Sequence, residues 1–197
     1  MVTKSNLHAR RAIFLDRDGV LVVPEMRDGR SFAPRRVEEF RFYPEAKSAL
    51  ERLKKVGYLL VVVTNQPDVG KGLISRSTLD QMHDLMRLTL PIDRIEVCFH
   101  TQSDECSCRK PKPGMLLDAA RNCQIDLKRS FMVGDRASDI EAGIAAGCQT
   151  IFIDLDYVSE LKPKAAHHTV RSIAEAADII LGANQKTGGP LCRASKI

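Results

Sequence analysis

Residues 58–65, YLLVVVTN, decide the fold. Six apolar residues in a row leave no polar face, so a strand built from them must be covered on both sides. The flanks say what covers it. Residues 44–57, PEAKSALERLKKVG, set apolar side chains on one helical face, with Pro44 near the start and Gly57 at the stop. Residues 75–88, SRSTLDQMHDLMRL, repeat that spacing behind a serine cap. The alternation holds along the chain. AIFLD (12–16), RIEVCFH (94–100), SFMVGD (130–135) and QTIFID (149–154) read as strands; PGMLLDAARNCQ (113–124), ASDIEAGIAAG (137–147) and SIAEAADIIL (172–181) read as helices. Repeated strand–helix units predict an α/β fold, a Rossmann-like parallel sheet with helices on both faces.

In such sheets the working groups gather beyond the carboxyl ends of the strands. Four predicted strands end in polar groups: Asp16, Thr64–Asn65, Cys98–His100 and Asp135. Ordinary loop polarity accounts for any one of them but poorly for all four.

The 197 residues are enough for one domain with a sizeable core. Its expected limits are 12–181, between a mobile basic N-terminus (1–11) and a disordered tail (182–197). The net charge of +5 resides at the ends: Lys4, Arg10 and Arg11 on one side, Lys186, Arg193 and Lys196 on the other, with no acid among them. The middle is close to neutral, which argues against a nucleic-acid partner. No apolar run is long enough to cross a bilayer, and AIFL is too short for a signal peptide, so a cytoplasmic monomer is expected.

The first predicted strand delivers two carboxylates, Asp16 and Asp18, around Arg17. Like charges a few ångströms apart repel by roughly 4 kcal/mol at an effective dielectric near 20. An EF-hand loop would need further oxygen ligands and flanking helices; here a strand precedes, and VLVVPEM follows. A cation shared by Asp16, Asp18 and Asp135 relieves the repulsion, and few carboxylates with open positions suit Mg²⁺. NQPDVGKG (65–72) lacks the first glycine and the final Ser or Thr of a nucleotide-binding loop.

A second ligand set lies in CFHTQSDECSC (98–108): Cys98, His100, Cys106 and Cys108. Three thiols and one imidazole fill a tetrahedral Zn²⁺ shell, leaving no position for water. Cys123 and Cys148 read as small core residues.

DRDGV, TNQ, a lysine within CRKPKPG and GDRASD occur in the order of the four motifs of the haloacid dehalogenase superfamily of phosphatases, which the chain resembles over about residues 12–154. The resemblance implies that Asp16 is a nucleophile forming an aspartyl-phosphate, and that Asp18 is the acid for the leaving alcohol and then the base for water. Thr64 can donate its hydroxyl to a phosphoryl oxygen, with the backbone N–H groups of Asn65 and Gln66 nearby. The zinc set running into RKPKPGM is similar to the branch containing heptose bisphosphate phosphatases and histidinol-phosphate phosphatases. That branch implies Lys110 as the phosphoryl-stabilising cation, with Lys112 as the alternative, and Arg109 as a substrate contact.

Only 45 residues separate Asp18 from Thr64, and 45 separate Thr64 from Lys110. Neither interval holds a large cap domain, so PEMRDGRSFAP (24–34) and the zinc loop should roof the site. A sugar bisphosphate needs a second cationic subsite, for which Arg27, Arg30, Arg109 and Arg136 are candidates. The amine of histidinol phosphate would instead call on Asp68, Asp104 or Glu105. By resemblance, KPGM and the single-domain length lean to the heptose bisphosphate enzymes, and so to removal of the 7-phosphate of D-glycero-D-manno-heptose 1,7-bisphosphate. GDRASDI is at least as similar to the histidinol branch, which keeps histidinol phosphate as the alternative. A zinc-stabilised nucleic-acid-binding module or a nucleic-acid end phosphatase is the reading from another class.

Overall fold

A computed structural model of the protein describes residues 9–27, 30–158 and 161–186. Its strands are β1 (Ala12–Leu15), β2 (Glu25–Arg27), β3 (Arg30–Phe32), β4 (Leu59–Asn65), β5 (Arg94–Cys98), β6 (Phe131–Gly134), β7 (Gln149–Ile153) and β8 (His168–Val170). Its helices are α1 (Ala46–Lys55), α2 (Pro67–Gly70), α3 (Arg76–Thr89), α4 (Gly114–Cys123), α5 (Ala137–Ala146) and α6 (Ile173–Lys186). Six strands form one sheet in the order β5-β4-β1-β6-β7-β8, and every pairing in it is parallel. The predicted α/β sheet is therefore observed.

Strand β1 is central, and its residues alternate between two cores. Ile13 and Leu15 join Leu60, Val62, Phe131 and Val133 under α1, α3 and α6. Ala12 and Phe14 join Leu59, Val61, Val63 and Met132 under α4 and α5, with Cys148 buried among them. This is the two-sided cover that 58–65 required. Because the chain runs from β1 to β4 and β5, then returns to β6 on the other side of β1, the carboxyl end of β1 is the switch point.

Local signals place the helices. The Ser75 side chain accepts from Thr78 N–H at 3.0 Å and opens α3. Gly147 closes α5 in the left-handed conformation, with φ +86°.

Three features depart from expectation. The segment 24–34 carries an antiparallel hairpin, with Glu25 opposite Phe32 and Met26 opposite Ser31. Helix α6 continues through residues 182–186, which were assigned to the tail, because Leu181 and Ala183 still pack on the core. Arg10, assigned to a mobile end, exchanges backbone hydrogen bonds with Gln124 and Asp126 (2.9 and 2.8 Å). Arg11 next to it lies 4.6 Å from the Tyr58 ring centre. Residues 1–8 and 187–197 lie outside the described residues. No described helix is long and apolar enough to cross a membrane.

Candidate active site

Register brings the predicted groups together. Leu15 pairs with Val62 on one side and Val133 on the other, so the chains leaving β1, β4 and β6 diverge around one point. Asp16 N–H still donates to Val133 C=O at 3.0 Å, which fixes the first residue past the strand. Thr64 and Asp135 end up buried beside it.

Lys110 enters from the loop before α4. It is 3% exposed, and its Nζ lies 2.7 Å from Asp16 Oδ1, 2.6 Å from Asp139 Oδ1 and 2.8 Å from Val63 C=O. Burial works against its charge, but the carboxylates of Asp139 and Asp16 prevail and push its pKa up to about 12. Lys112 is elsewhere, donating to Glu105 C=O at 2.7 Å. The side chain of Asn65 holds Lys110 by its backbone: Lys110 N–H donates to Asn65 Oδ1, and Asn65 Nδ2 donates to Lys110 C=O, both at 3.1 Å. The backbone N–H of Asn65 is the group expected to face a phosphoryl oxygen; its side chain, in addition, positions the lysine.

Gln66 departs from expectation. Its backbone N–H is spent on Cys98 C=O at 2.7 Å, because the chain leaves β4 alongside β5. Its side-chain Nε2 donates to Thr64 Oγ1 and to Asp18 Oδ2, both at 2.9 Å. With its oxygen accepting from Gln66, the Thr64 hydroxyl keeps its own proton to donate.

Ligand atoms of Asp16, Asp135 and Asp139 lie within 4.8 Å of one another. Burial, and then the charges of Asp16 and Asp139, push the Asp135 pKa well up. Both Asp135 oxygens are buried, with no cationic side chain among the described residues paired to them and only the Tyr157 hydroxyl reaching toward them, an environment that a hard cation satisfies. Asp18, expected to share that cation through its carboxylate, is outside the group. Its carboxylate accepts from Arg17 Nε (3.0 and 3.1 Å), Arg17 Nη2 (2.9 Å) and Gln66. Asp139 pairs with Lys110 and also accepts from Arg136 N–H at 3.0 Å, as an orienting acceptor should.

Two glycines leave room for these carboxylates. A Cβ on Gly19, whose φ is +90°, would come within 2.0 Å of Asp135 Oδ2. A Cβ on Gly134 would come within 2.4 Å of Asp139 Oδ2.

The hairpin β2–β3 is fastened over the site. Arg136 donates to Ser31 C=O (3.0 Å) and Ser31 Oγ (2.7 Å), so this predicted substrate contact serves the roof. Arg35, just past β3, pairs with Asp68 on α2 at 2.7 Å. Tyr157 approaches from the far side, where burial and the Asp135 charge push its hydroxyl pKa up.

The second ligand set is assembled too. The Cys98, Cys106 and Cys108 sulfurs stand 3.2–3.7 Å apart, and His100 Nδ1 is 3.6 Å from Cys98 and 3.3 Å from Cys108. These separations approach the edges of a tetrahedron with arms of roughly 2.3 Å, so the donor set fits zinc. Arg109 wraps this loop, its guanidinium donating to His100 C=O at 3.1 Å. Asp104 caps the loop by accepting from Thr101 N–H at 2.6 Å.

Sequence reasoning missed Arg17, Ser31 and Tyr157. Arg17 is wholly buried although it stands between two acids in a turn, and only its partner Asp18, the next residue, hinted at that.

A parallel sheet whose central strand ends in a carboxylate paired with a buried lysine fits a haloacid dehalogenase-like hydrolase. Residues 107–176 match a HAD-hydrolase-like family model. A D-glycero-beta-D-manno-heptose-1,7-bisphosphate 7-phosphatase of Pasteurella multocida is 36% identical over 186 residues, covering 88% of this chain and 98% of that protein. The protein of that name in Photorhabdus laumondii is 32% identical, covering 87% and 95%. Among solved structures, the D,D-heptose 1,7-bisphosphate phosphatase of B. bronchiseptica, complexed with magnesium and phosphate, aligns with a TM-score of 0.77 at 30% identity. That alignment covers 88% of this chain and 99% of the other. The chain belongs to the haloacid dehalogenase-like phosphatases, in the family of these heptose bisphosphate enzymes.

Proposed function

We propose that this phosphatase removes the 7-phosphate of D-glycero-D-manno-heptose 1,7-bisphosphate through an aspartyl-phosphate on Asp16. The observation that carries the chemistry is the Lys110–Asp16 pair, 2.7 Å apart and buried beside the Asp135 carboxylate. A carboxylate can attack phosphorus only where the phosphoryl charge is compensated. Lys110 holds one positive charge at the nucleophile, and Thr64 offers a hydroxyl proton to a phosphoryl oxygen. A bound Mg²⁺, held by Asp16 and Asp135, would supply the remaining charge compensation.

An Asp16 oxygen forms the bond to phosphorus while the bond from phosphorus to sugar oxygen breaks. The departing electron pair takes a proton from Asp18. Asp18, now ionised, accepts a proton from water, which attacks phosphorus and releases the Asp16 carboxylate and inorganic phosphate. The nucleophile, acid, threonine and lysine come from one chain, so the proposal is for a monomer acting on a small phosphorylated sugar, without nucleic acid. Zn²⁺ on Cys98, His100, Cys106 and Cys108 would order the loop that presents Arg109 and Lys110. Four free ligands of this kind suit the reducing cytoplasm.

Support for the sugar comes from the family relatives and from two of the three acids that an amine would need. Asp68 is paired with Arg35, and Asp104 is consumed by the turn at Thr101. The test is phosphate release with Mg²⁺, comparing kcat/KM for heptose 1,7-bisphosphate and histidinol phosphate. A heptose preference of about a hundredfold, roughly 2.7 kcal/mol of transition-state binding, is expected. A preference for histidinol phosphate would overturn the substrate.

A further inference from the structure

We propose that Arg17 is a positioning residue that aims the Asp18 carboxylate at the leaving oxygen, a role that rests on the phosphatase reading. Desolvating a guanidinium costs several kcal/mol, so a wholly buried arginine in a turn needs a reason. Asp16 and Asp18 flank it, yet its side chain turns only to Asp18, with three donor contacts of 2.9–3.1 Å. The guanidinium is braced from behind. Its carbon lies 5.3 Å from the centre of the Phe40 ring, and it lies near His83, which is buried on α3. Its own backbone is fixed, since Arg17 C=O accepts from both Leu21 and Val22 N–H at 2.9 Å.

Asp18 is thereby gripped from two directions, by Arg17 from its own loop and by Gln66 from the end of β4. A short side chain with two free torsions acquires one orientation. Proton transfer to a departing oxygen demands such placement. An arginine keeps its charge and only donates hydrogen bonds, so it cannot replace Asp18 as the acid and must act through it.

That indirect role has a signature. An alkyl phosphate needs a proton on its leaving oxygen, whereas p-nitrophenyl phosphate releases a stable anion and does not. The measurement is first-turnover release of the leaving group by the full, zinc-loaded chain with Mg²⁺, so that hydrolysis of the intermediate does not enter. For Arg17→Met, release from a sugar or simple alkyl phosphate should fall about 30- to 100-fold, part of the roughly hundred- to ten-thousandfold that a general acid contributes. Release from p-nitrophenyl phosphate should stay within about threefold, because Asp16 and Lys110 are untouched. In an Asp18→Asn background, adding Arg17→Met should cost nothing further.

Equal losses on both substrates, no loss on either, or a further loss in the Asp18→Asn background would each overturn the proposal. If Arg17→Met does not fold, Arg17→Gln, neutral and still a donor, carries the same comparison with a smaller alkyl-selective loss. Failure of the unmodified protein on both esters would instead sink the phosphatase reading itself.

Discussion

Replacing Asn65 with alanine should separate the delivery of Lys110 from the lysine itself. The Asn65 side chain makes two hydrogen bonds to the Lys110 backbone, each at 3.1 Å and part-buried. A hydrogen bond of this kind contributes about 1 kcal/mol net, and its loss costs more where the abandoned group stays dry. The expected destabilisation is about 2–3 kcal/mol, or a fall of roughly 5–10 °C in unfolding midpoint for a chain of this length. The consequence for turnover is larger. Lys110 Nζ contacts Asp16, Asp139 and Val63 C=O within 2.6–2.8 Å, so a small shift of its backbone breaks three contacts together. Misplacement by about 1 Å can cost a hundredfold, and kcat should fall about 30- to 100-fold. Calorimetry and phosphate release read the two effects separately. Once Lys110→Met has removed the ammonium, Asn65→Ala should still lower the midpoint but should slow turnover no further. If Asn65→Ala lowers the midpoint yet leaves kcat within threefold, the clamp is structural only and the reasoning fails.

Four shorter predictions accompany it. Asp16→Asn should abolish turnover with the fold intact by circular dichroism; measurable phosphate release would refute the covalent role. Stripping the Cys98–His100–Cys106–Cys108 set with a chelator should remove binding energy on the order of 10 kcal/mol and abolish activity, read by metal analysis and thermal unfolding together. Gly19→Ala sets a methyl within 2.0 Å of Asp135 Oδ2 at φ +90°, so Mg²⁺ titration of activity should show at least tenfold weaker apparent affinity, about 1.4 kcal/mol. His83 is 4% exposed, and burial followed by the Arg17 charge pulls its pKa down to about 4. Below about pH 6.5 the unfolded chain takes up a proton that the fold refuses, so stability should drop by about 2 kcal/mol between pH 7 and pH 5. In His83→Gln, urea denaturation should show that acid loss reduced.

How much of this was legible depends on the reach of each signal. The alternation of 12–16, 58–65, 130–135 and 149–154 with helical spacing is local, and it placed the sheet and every strand-end group. The zinc ligands lie within eleven consecutive residues, so their donor set could be read directly. Gln66 was found but its backbone N–H given the wrong partner. The true one follows from the pairing of β4 with β5, where Gln66 N–H meets Cys98 C=O, and that register has no signal in TNQ alone. The hold of the Asn65 side chain on Lys110 spans forty-five residues and had no local signal either. Arg17 was given no role because its burial is set by Phe40 and by α3, more than twenty and fifty residues away. The hairpin escaped notice because strands of three residues carry too little periodicity to show.

The hairpin also divides the molecule into a part that must keep its length and a part that need not. One residue inserted into β1 would send Phe14 toward the opposite core and carry Asp16 away from Val133. The 24–36 segment is held over the site by polar ties, Arg136 to Ser31 and Arg35 to Asp68, and by no shared ladder with the main sheet. Because it shares no strand pairing with β1, β4 or β6, a change in its length leaves the register that sets Asp16, Thr64 and Asp135 in place. New substrates are therefore reached most cheaply by redrafting this roof, which makes it the place to build a library for altered specificity, with the strand ends left as they are.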